Sequence, residues 1–404
     1  MKQGNAAKFF IFVTILVDVI GIGIIIPVVP DLIVSLDGGS ISDAAKIGGW
    51  LMFAFAIMQF IFAPILGGLS DRFGRKPVLL MALFGLGLDY IFHAFAPTIF
   101  WLFVGRFIAG VFGASFTVAS AYMADISKPE DKAKNFGLIG AAFGLGFIIG
   151  PVIGGIAGQW GVQMPFFIAA GLSLLNVLYG IFVVPESLKP ENRRPFNWKR
   201  ANPVSALLNL RTYPKIMGLV AGFFLIYLAG KCVESVWSFY TMYRFDWDTA
   251  HVGYSLGVVG ILVTIVQGGL IGKVVSTFGE HKTIFIGYIF WVFGLVLFGL
   301  ASEGWMMYSF IIVYCLGGVA GPTLQGLISN EVPDNAQGEL QGALTSLISV
   351  TSIAGPLLFT WVFGVFSGVD APFHLPGASF FLGAMLAGIS MFLVVRNLRK
   401  SSSN

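Results

Sequence analysis

Gly67-Gly68-Leu69-Ser70-Asp71-Arg72-Phe73-Gly74-Arg75-Lys76-Pro77 stands between two long apolar runs, and its reading decides the fold. Gly67, Gly68 and Gly74 permit close backbone approach and a tight turn, and Pro77 suits the first positions of a following helix. Arg72, Arg75 and Lys76 hold such a loop on the cytoplasmic face of a membrane. The stretch therefore reads as a short basic turn between two membrane helices.

The rest of the chain agrees. Its 404 residues are 56% hydrophobic and 11% charged, whereas soluble domains are about a quarter charged. Apolar runs of about 20 residues are long enough to cross the hydrocarbon core. They fall at 8–35, 47–69, 77–96, 98–124, 135–160 and 163–184, and again at 214–243, 250–277, 282–301, 304–330, 338–366 and 374–398. The expected fold is an all-α membrane protein of twelve transmembrane helices in two six-helix, pseudo-symmetric halves. Residues 1–184 form the first half and 214–404 the second. The linker, 185–213, has Lys189, Arg193, Arg194, Lys199, Arg200, Arg211 and Lys215 in or beside it. The start, Met1 through Lys8, leads into an apolar segment with no small-residue cleavage site and reads as a retained first helix.

Of the 24 Lys and Arg, all but Lys46, Arg106, Lys231 and Arg244 fall in the termini, the linker or the loops on one side. That bias places both termini in the cytoplasm and accounts for the net charge of +4 without a nucleic-acid partner. Cys232 and Cys315 lie inside apolar runs, which excludes a disulfide framework. The four histidines, His93, His251, His281 and His374, fall in separate segments without metal-ligand spacing. No metal site and no catalytic constellation is expected, so the chain reads as a transporter rather than an enzyme.

The opening loop resembles the turn between helices 2 and 3 of the major facilitator superfamily, roughly G-x-L-x-D-R-x-G-R-K/R. Asp18 through Pro30 resembles the tetracycline/multidrug proton antiporter branch, D-x-x-G-x-G-I-x-x-P-x-x-P. Arg106 through Ala114 resembles the helix 4 pattern R-x-x-x-G-x-x-G-A. Gly146 through Gly155 resembles the helix 5 exporter signature, G-x-x-x-G-P-x-x-G-G. The resemblance spans nearly the whole chain and implies a drug:proton antiporter in the bacterial cytoplasmic membrane.

Charges inside a bilayer are costly and are functional hypotheses by default. Asp18, Asp89, Arg106 and Glu234 are the expected proton-coupling residues. A carboxylate at 18 or 89 loads and releases a proton, and the Arg106 guanidinium supplies a fixed charge that favours the ionised form of a neighbour. The competing reading is a static pair of Arg106 with Asp18 or Asp89. Gln59, Lys231, Trp237, Gln267 and Gln325 are the expected substrate-binding residues. Asp71, Arg72, Arg75 and Asp125 are the expected conformational gate, and the resemblance sets Asp71 opposite the start of helix 11 near Gly338 to Gln341. Gly150, Pro151, Gly154 and Gly155 are the expected hinge and packing surface, since glycines four apart admit a partner helix.

Two departures bear on the substrate. Val263 and Trp291 stand where the better-known tetracycline exporters carry a histidine and an aspartate. Helix 7 carries Lys231 and Glu234 instead, three residues apart and on one face. They form either a neutral internal bridge or a site where Lys231 attracts an anionic group while Glu234 titrates. The expected substrate is an amphipathic compound, tetracycline-like first, with a siderophore, metabolite or other organic anion as the alternative and a non-transporting sensor behind it. No cofactor is expected beyond Mg2+ carried in a chelated substrate. The expected partners are that small molecule, protons and the lipid bilayer, and the working form a monomer.

Overall fold

The computed structural model describes residues 2–113, 115–127, 132–196, 216–332 and 337–401. Most of the expected linker, with Lys199, Arg200, Arg211 and Lys215, lies outside the described residues, as does Ala114 of the helix 4 pattern. Among those described, all regular structure is helical. The first half of the sequence forms α1 (Lys2–Ile25), α2 (Val29–Asp37), α3 (Ile41–Phe73), α4 (Arg75–Ala94), α5 (Ile99–Phe112), α6 (Ser115–Asp125), α7 (Lys132–Gly158) and α8 (Met164–Val183). The second forms α9 (Met217–Phe245), α10 (Thr249–Ile265), α11 (Ile271–Phe278), α12 (Glu280–Leu300), α13 (Gly304–Leu316), α14 (Ala320–Asn330), α15 (Gln337–Ser367) and α16 (Ala378–Ser401). Among the described residues, twelve helical stretches are long and apolar enough to cross a membrane. Helices are the solution such a sequence must adopt, because hydrocarbon offers the backbone no other hydrogen-bond partner.

Four expected spans are interrupted, each at residues that weaken a helix. The run at 8–35 breaks after Ile25 into the turn 26–28, where Pro27 has no N–H to continue the ladder. The run at 98–124 breaks after Phe112, and Gln59 on α3 donates its side-chain amide to the Gly113 carbonyl there at 2.9 Å. The run at 304–330 breaks at the corresponding place, in the 3-10 turn Gly317–Val319. The run at 250–277 carries a π turn, Val266–Leu270, around Gly268 and Gly269. Shifts of up to six residues at helix ends aside, the remaining spans fall where the apolar runs put them.

The chain divides into two compact units. One comprises Met1–Gly38, Ala54–Asn202 and Asp248–Gly257, and the other Gly39–Phe53, Pro203–Trp247 and Val258–Asn404. In the first, α1 packs on α7 and α8, and α4 on α5 and α8. Phe10, Ile11, Ile15, Leu79, Leu83, Val118, Tyr122 and Met123 form its core. In the second, α9 packs on α15 and α16, and α12 on α13 and α16, the same pattern one half later. Its core gathers Phe223, Ile226, Tyr288, Leu324, Ile328, Leu344 and Val394. The turns before α4 and α12 also repeat, each hinging on a positive-φ glycine, Gly74 (φ 105°) and Gly279 (φ 76°).

In the first unit, Gly146, Gly150, Gly154 and Gly158 lie four apart along α7 and face α1 and the turn after it. A Cβ on Gly146 would come 2.6 Å from the Val19 side chain, and one on Gly150 would come 2.8 Å from the Ile20 carbonyl. One on Gly154 would collide with the Ile24 backbone. Gly155 faces the start of α10, where Thr249 donates to its carbonyl at 3.0 Å, and Pro151 packs against Gly23. In the second unit, the start of α3 lies on α15 in the same manner. Ser42 and Ser367 share a hydrogen bond of 2.8 Å, and Gly49 fits against Thr360 and the Pro356 carbonyl.

Gly154→Ala should therefore lower the melting temperature of the purified protein, at an overpacking cost of about 1–3 kcal/mol. Gly137→Ala on the same helix, where the added methyl meets open space, should not lower it. Equal melting of the two variants would refute the close-approach role of the α7 face.

Candidate functional site

Arg75 of the basic turn anchors a bonded network inside the first unit. Arg75 is only 9% exposed. Its Nη1 pairs with Asp71 Oδ1 at 2.6 Å and donates to Ser70 Oγ at 2.6 Å, while its Nε pairs with Asp125 Oδ2 at 3.0 Å. Ser187 Oγ donates to the same Asp125 oxygen at 3.1 Å. The guanidinium thus ties the end of α3 to the start of α4 and the end of α6, using the fork geometry that lysine lacks. Arg72 takes no part and lies over the Phe73 ring at 5.0 Å.

Glu186, just after α8, completes the network and was not anticipated from the sequence. It accepts from the backbone N–H groups of Arg75 and Lys76 at 2.9 and 3.2 Å, capping α4 where unpaired donors and the helix dipole favour a negative charge. Gly74 is required twice over, by its left-handed φ and because a Cβ there would overlap the Glu186 carboxylate. The start of helix 11, expected opposite Asp71, has the side chains of 337–339 outside the described residues.

The charges within the spans of the first unit are separated by more selective contacts. Asp18 on α1 accepts a short hydrogen bond from Ser115 at the start of α6. Asp89 on α4 pairs with His93 one turn on, Nδ1 to Oδ2 at 3.1 Å. Arg106 on α5 makes no ion pair among the described residues, so neither static pairing weighed for it, with Asp18 or with Asp89, is present as a bridge. It does interact electrostatically with Asp89 and with Tyr90, and Tyr90 interacts with Asp18, Asp89 and Arg106 together. The Tyr90 hydroxyl reaches this position because Gly21 on α1 has no side chain to obstruct it. Tyr90, Ser115 and His93 were missed in sequence. The four-residue spacing of Asp89 and His93 was the available signal.

In the second unit Lys231 and Glu234 meet at 2.5 Å, with the lysine side chain 14% exposed and the glutamate 62%. The lysine stem lies over Gly355 on α15, which gives that glycine a role. Gln325 donates to Gln341 at 2.8 Å, joining α14 to α15. Gln267 sits exposed on the π turn, near Gly318. Trp237, expected to contact substrate, is instead 1% exposed and packs edge-on against Phe298 at 5.1 Å; its large apolar ring fills the core between α9 and α12. Gln59, also expected to contact substrate, spends its amide on the freed Gly113 carbonyl. Trp291 packs against Gly230 and Gly317 and 5.8 Å from Tyr314.

A further acidic group lies outside the spans of the first unit. Burial, with the nearby charge of Asp248, pushes the Asp31 carboxyl up from its ordinary value. Asp248 itself is raised by partial burial but held below its ordinary value by hydrogen bonds from His251 and Gln159. Among the described residues no cluster of His, Cys, Asp and Glu forms a metal site.

The sequence profile of the Major Facilitator Superfamily matches residues 11–356. The chain is 41% identical to the class C tetracycline resistance protein of Escherichia coli, over 90% of this chain and 91% of that protein. It is 36% identical to the class H tetracycline resistance protein of Pasteurella multocida, over 98% of each. In fold it is similar to the nucleoside transporter NupG, with a TM-score of 0.78 at 15% identity over 98% of this chain and 99% of that one.

Replacing Arg75 with Lys should lose the bond to Asp125 while keeping one to Asp71, and replacing it with Ala should strand both carboxylates. Losing a hydrogen bond to a charged group costs about 1.5–3 kcal/mol, so thermal melting should fall in the order intact, Arg75→Lys, Arg75→Ala. Unchanged melting of Arg75→Ala would remove the network from the stability of the unit.

Proposed function

The chain belongs to the major facilitator superfamily, and on that basis we propose that it is a proton-coupled antiporter that exports an amphipathic organic compound, a tetracycline-like drug foremost, across the bacterial inner membrane. It works by alternating access with both termini in the cytoplasm, as the distribution of Lys and Arg favours. The observation that carries the reading is the set Asp18, Asp89 and Arg106 within the spans of one unit, with the arginine unbridged. A guanidinium keeps its proton, so Arg106 is a constant charge against which a carboxylate can be ionised or neutral. Protonation of Asp18 or Asp89 from outside removes a negative charge near Arg106. Release inward restores it, and the substrate exchanges with the proton beside Arg106.

The substrate travels as a chelate with Mg2+, which is cargo and not a resident cofactor. Asp71, Arg75 and Asp125 stiffen the cytoplasmic end of their unit, so that it moves as a body during exchange. The monomer suffices, since each chain carries two halves.

Everted membrane vesicles holding a pH gradient test this directly. Tetracycline with magnesium should cause saturable proton release by the intact protein and none by Asp18→Asn. Absence of release, with the protein present and the gradient intact, would overturn the assignment.

A second reading follows from the Lys231–Glu234 pair, where a mostly covered cation is shared with an exposed carboxylate. An organic anion would compete with Glu234 for Lys231. If the substrate is acidic, Lys231→Gln should reduce its transport at least about tenfold, the equivalent of one charge-assisted contact of about 1.4 kcal/mol, and spare a neutral substrate. Equal transport of the acidic substrate by Lys231→Gln would discard this reading.

A further inference from the structure

One buried pair on α4 is only half used by this mechanism. His93 is 2% exposed and Asp89 3%, in the last turns of α4, at the end opposite the Arg75 network. His93 Nδ1 lies 3.1 Å from Asp89 Oδ2 and 3.0 Å from the Asp89 carbonyl oxygen. Both neighbours are acceptors, so the hydrogen of the neutral imidazole belongs on Nδ1, and Nε2 is left as the bare base. Nε2 is buried without a hydrogen-bond partner, and so is the second carboxylate oxygen, Asp89 Oδ1.

The ring cannot turn away to find partners. It is stacked on Phe166 of α8, 5.8 Å between centroids and 1° between planes. Its edge presses on Gly105 of α5, where any Cβ would overlap the imidazole. Gly105 immediately precedes Arg106, so the helix that carries the fixed positive charge is also the one against which the imidazole rests.

We propose that His93 and Asp89 together hold the coupling proton, which is taken up at His93 Nε2 while Nδ1 stays bonded to the carboxylate. The inference rests on the antiport reading above and assigns it a residue. Before uptake the pair is a carboxylate and a neutral imidazole with net charge −1. Afterwards it is a carboxylate and an imidazolium with net charge zero, and release of the Nε2 proton restores the first state.

The surrounding groups give this change a consequence. Arg106 on α5 faces Asp89 with a constant positive charge, and the phenol of Tyr90 on α4 interacts with Asp89, Arg106 and, on α1, Asp18. On the α8 side the uncharged Phe166 ring stacks on it. With the pair at −1, Arg106 is balanced. With the pair at zero, that charge is free to attract the polar edge of a substrate. The proton and the substrate then compete through Arg106 without sharing a ligand.

His93→Gln tests the idea, because a glutamine amide still donates toward Asp89 but takes up no proton. Purified full-length protein titrated between about pH 5 and 9, the range in which histidine charges, should take up about one proton more per chain than His93→Gln. In everted vesicles the variant should lose proton-coupled exchange at least about tenfold, as expected when a proton-transferring group is removed. Equal proton uptake by the two proteins would overturn the pair as a proton site, whatever the vesicles show. A difference in uptake without any tetracycline-driven exchange by the intact protein would support the pair and sink the antiport reading. If His93→Gln fails to accumulate, histidine NMR of the intact chain decides. An imidazole that titrates, and whose titration changes in Asp89→Asn, supports the proposal. None titrating in that range overturns it.

Discussion

The approach of α7 to α1 governs where the buried charges of the first unit stand. Helices in hydrocarbon gain nothing from burying apolar side chains against one another, because lipid is equally apolar, so they associate through close backbone packing. Gly146, Gly150, Gly154 and Gly158 supply that approach on one face of α7, and Gly155 with Gly253 supplies it on another, toward the start of α10. With α1 seated against this surface, Asp18 points to Ser115 and Gly21 receives the Tyr90 hydroxyl. A side chain on Gly146, Gly150 or Gly154 would displace α1 and carry Asp18 with it. The small residues therefore do their work upstream of the chemistry.

Once the helices are placed, the cost of burying polar groups sorts the charges into two kinds. At the end of α3 and start of α4 every member of the network is satisfied: Arg75 has carboxylate partners on both sides, and Glu186 covers the free N–H groups of α4. Such a set is rigid because each group removed leaves another unpaired. Within the spans the bonding is incomplete. Among the described residues Arg106 has no ion pair, and Asp89 and His93 each keep a bare polar atom. A structural pair would be expected to close those gaps, whereas a site that must accept and release a proton needs them open.

Much of the fold was legible in the sequence because its two strongest signals are long-range in composition and short-range in geometry. Apolar length marked the spans, and the Gly67 to Pro77 stretch fixed a turn. The interruptions were less legible. Gly113 and Gly317 differ little from the many other glycines of apolar runs, and what sets them apart is contacts made in the fold, Gln59 on the Gly113 carbonyl and Trp291 against Gly317. Glu186 was hidden for the same reason, since it meets Arg75 across more than a hundred residues of chain. Asp71, Arg75 and Asp125 were grouped in sequence and do meet. The burial of Trp237 is not legible, because an aromatic on a polar-flanked helix looks the same whether it lines a path or fills a core. The partner of His93 is hard to read, because it is the carboxylate one turn away and not another histidine.

The two halves repeat one packing plan but not one chemistry. Each half seats its first helix on its fifth and sixth, breaks its fourth and turns into its third on a positive-φ glycine. The first half places Asp18 and Asp89 on separate helices, with Arg106 facing Asp89 and, among the described residues, ion-paired to neither acid, an arrangement whose net charge changes by one with each proton. The second half places Lys231 and Glu234 on one helix turn at bonding distance, a pair that is neutral as it stands and changes only when something displaces one member. A proton acts most strongly on the first arrangement and a charged ligand on the second. On the proposed function, a few buried residues that differ on one shared packing plan are sufficient to give one half the proton and leave the other free to select the cargo.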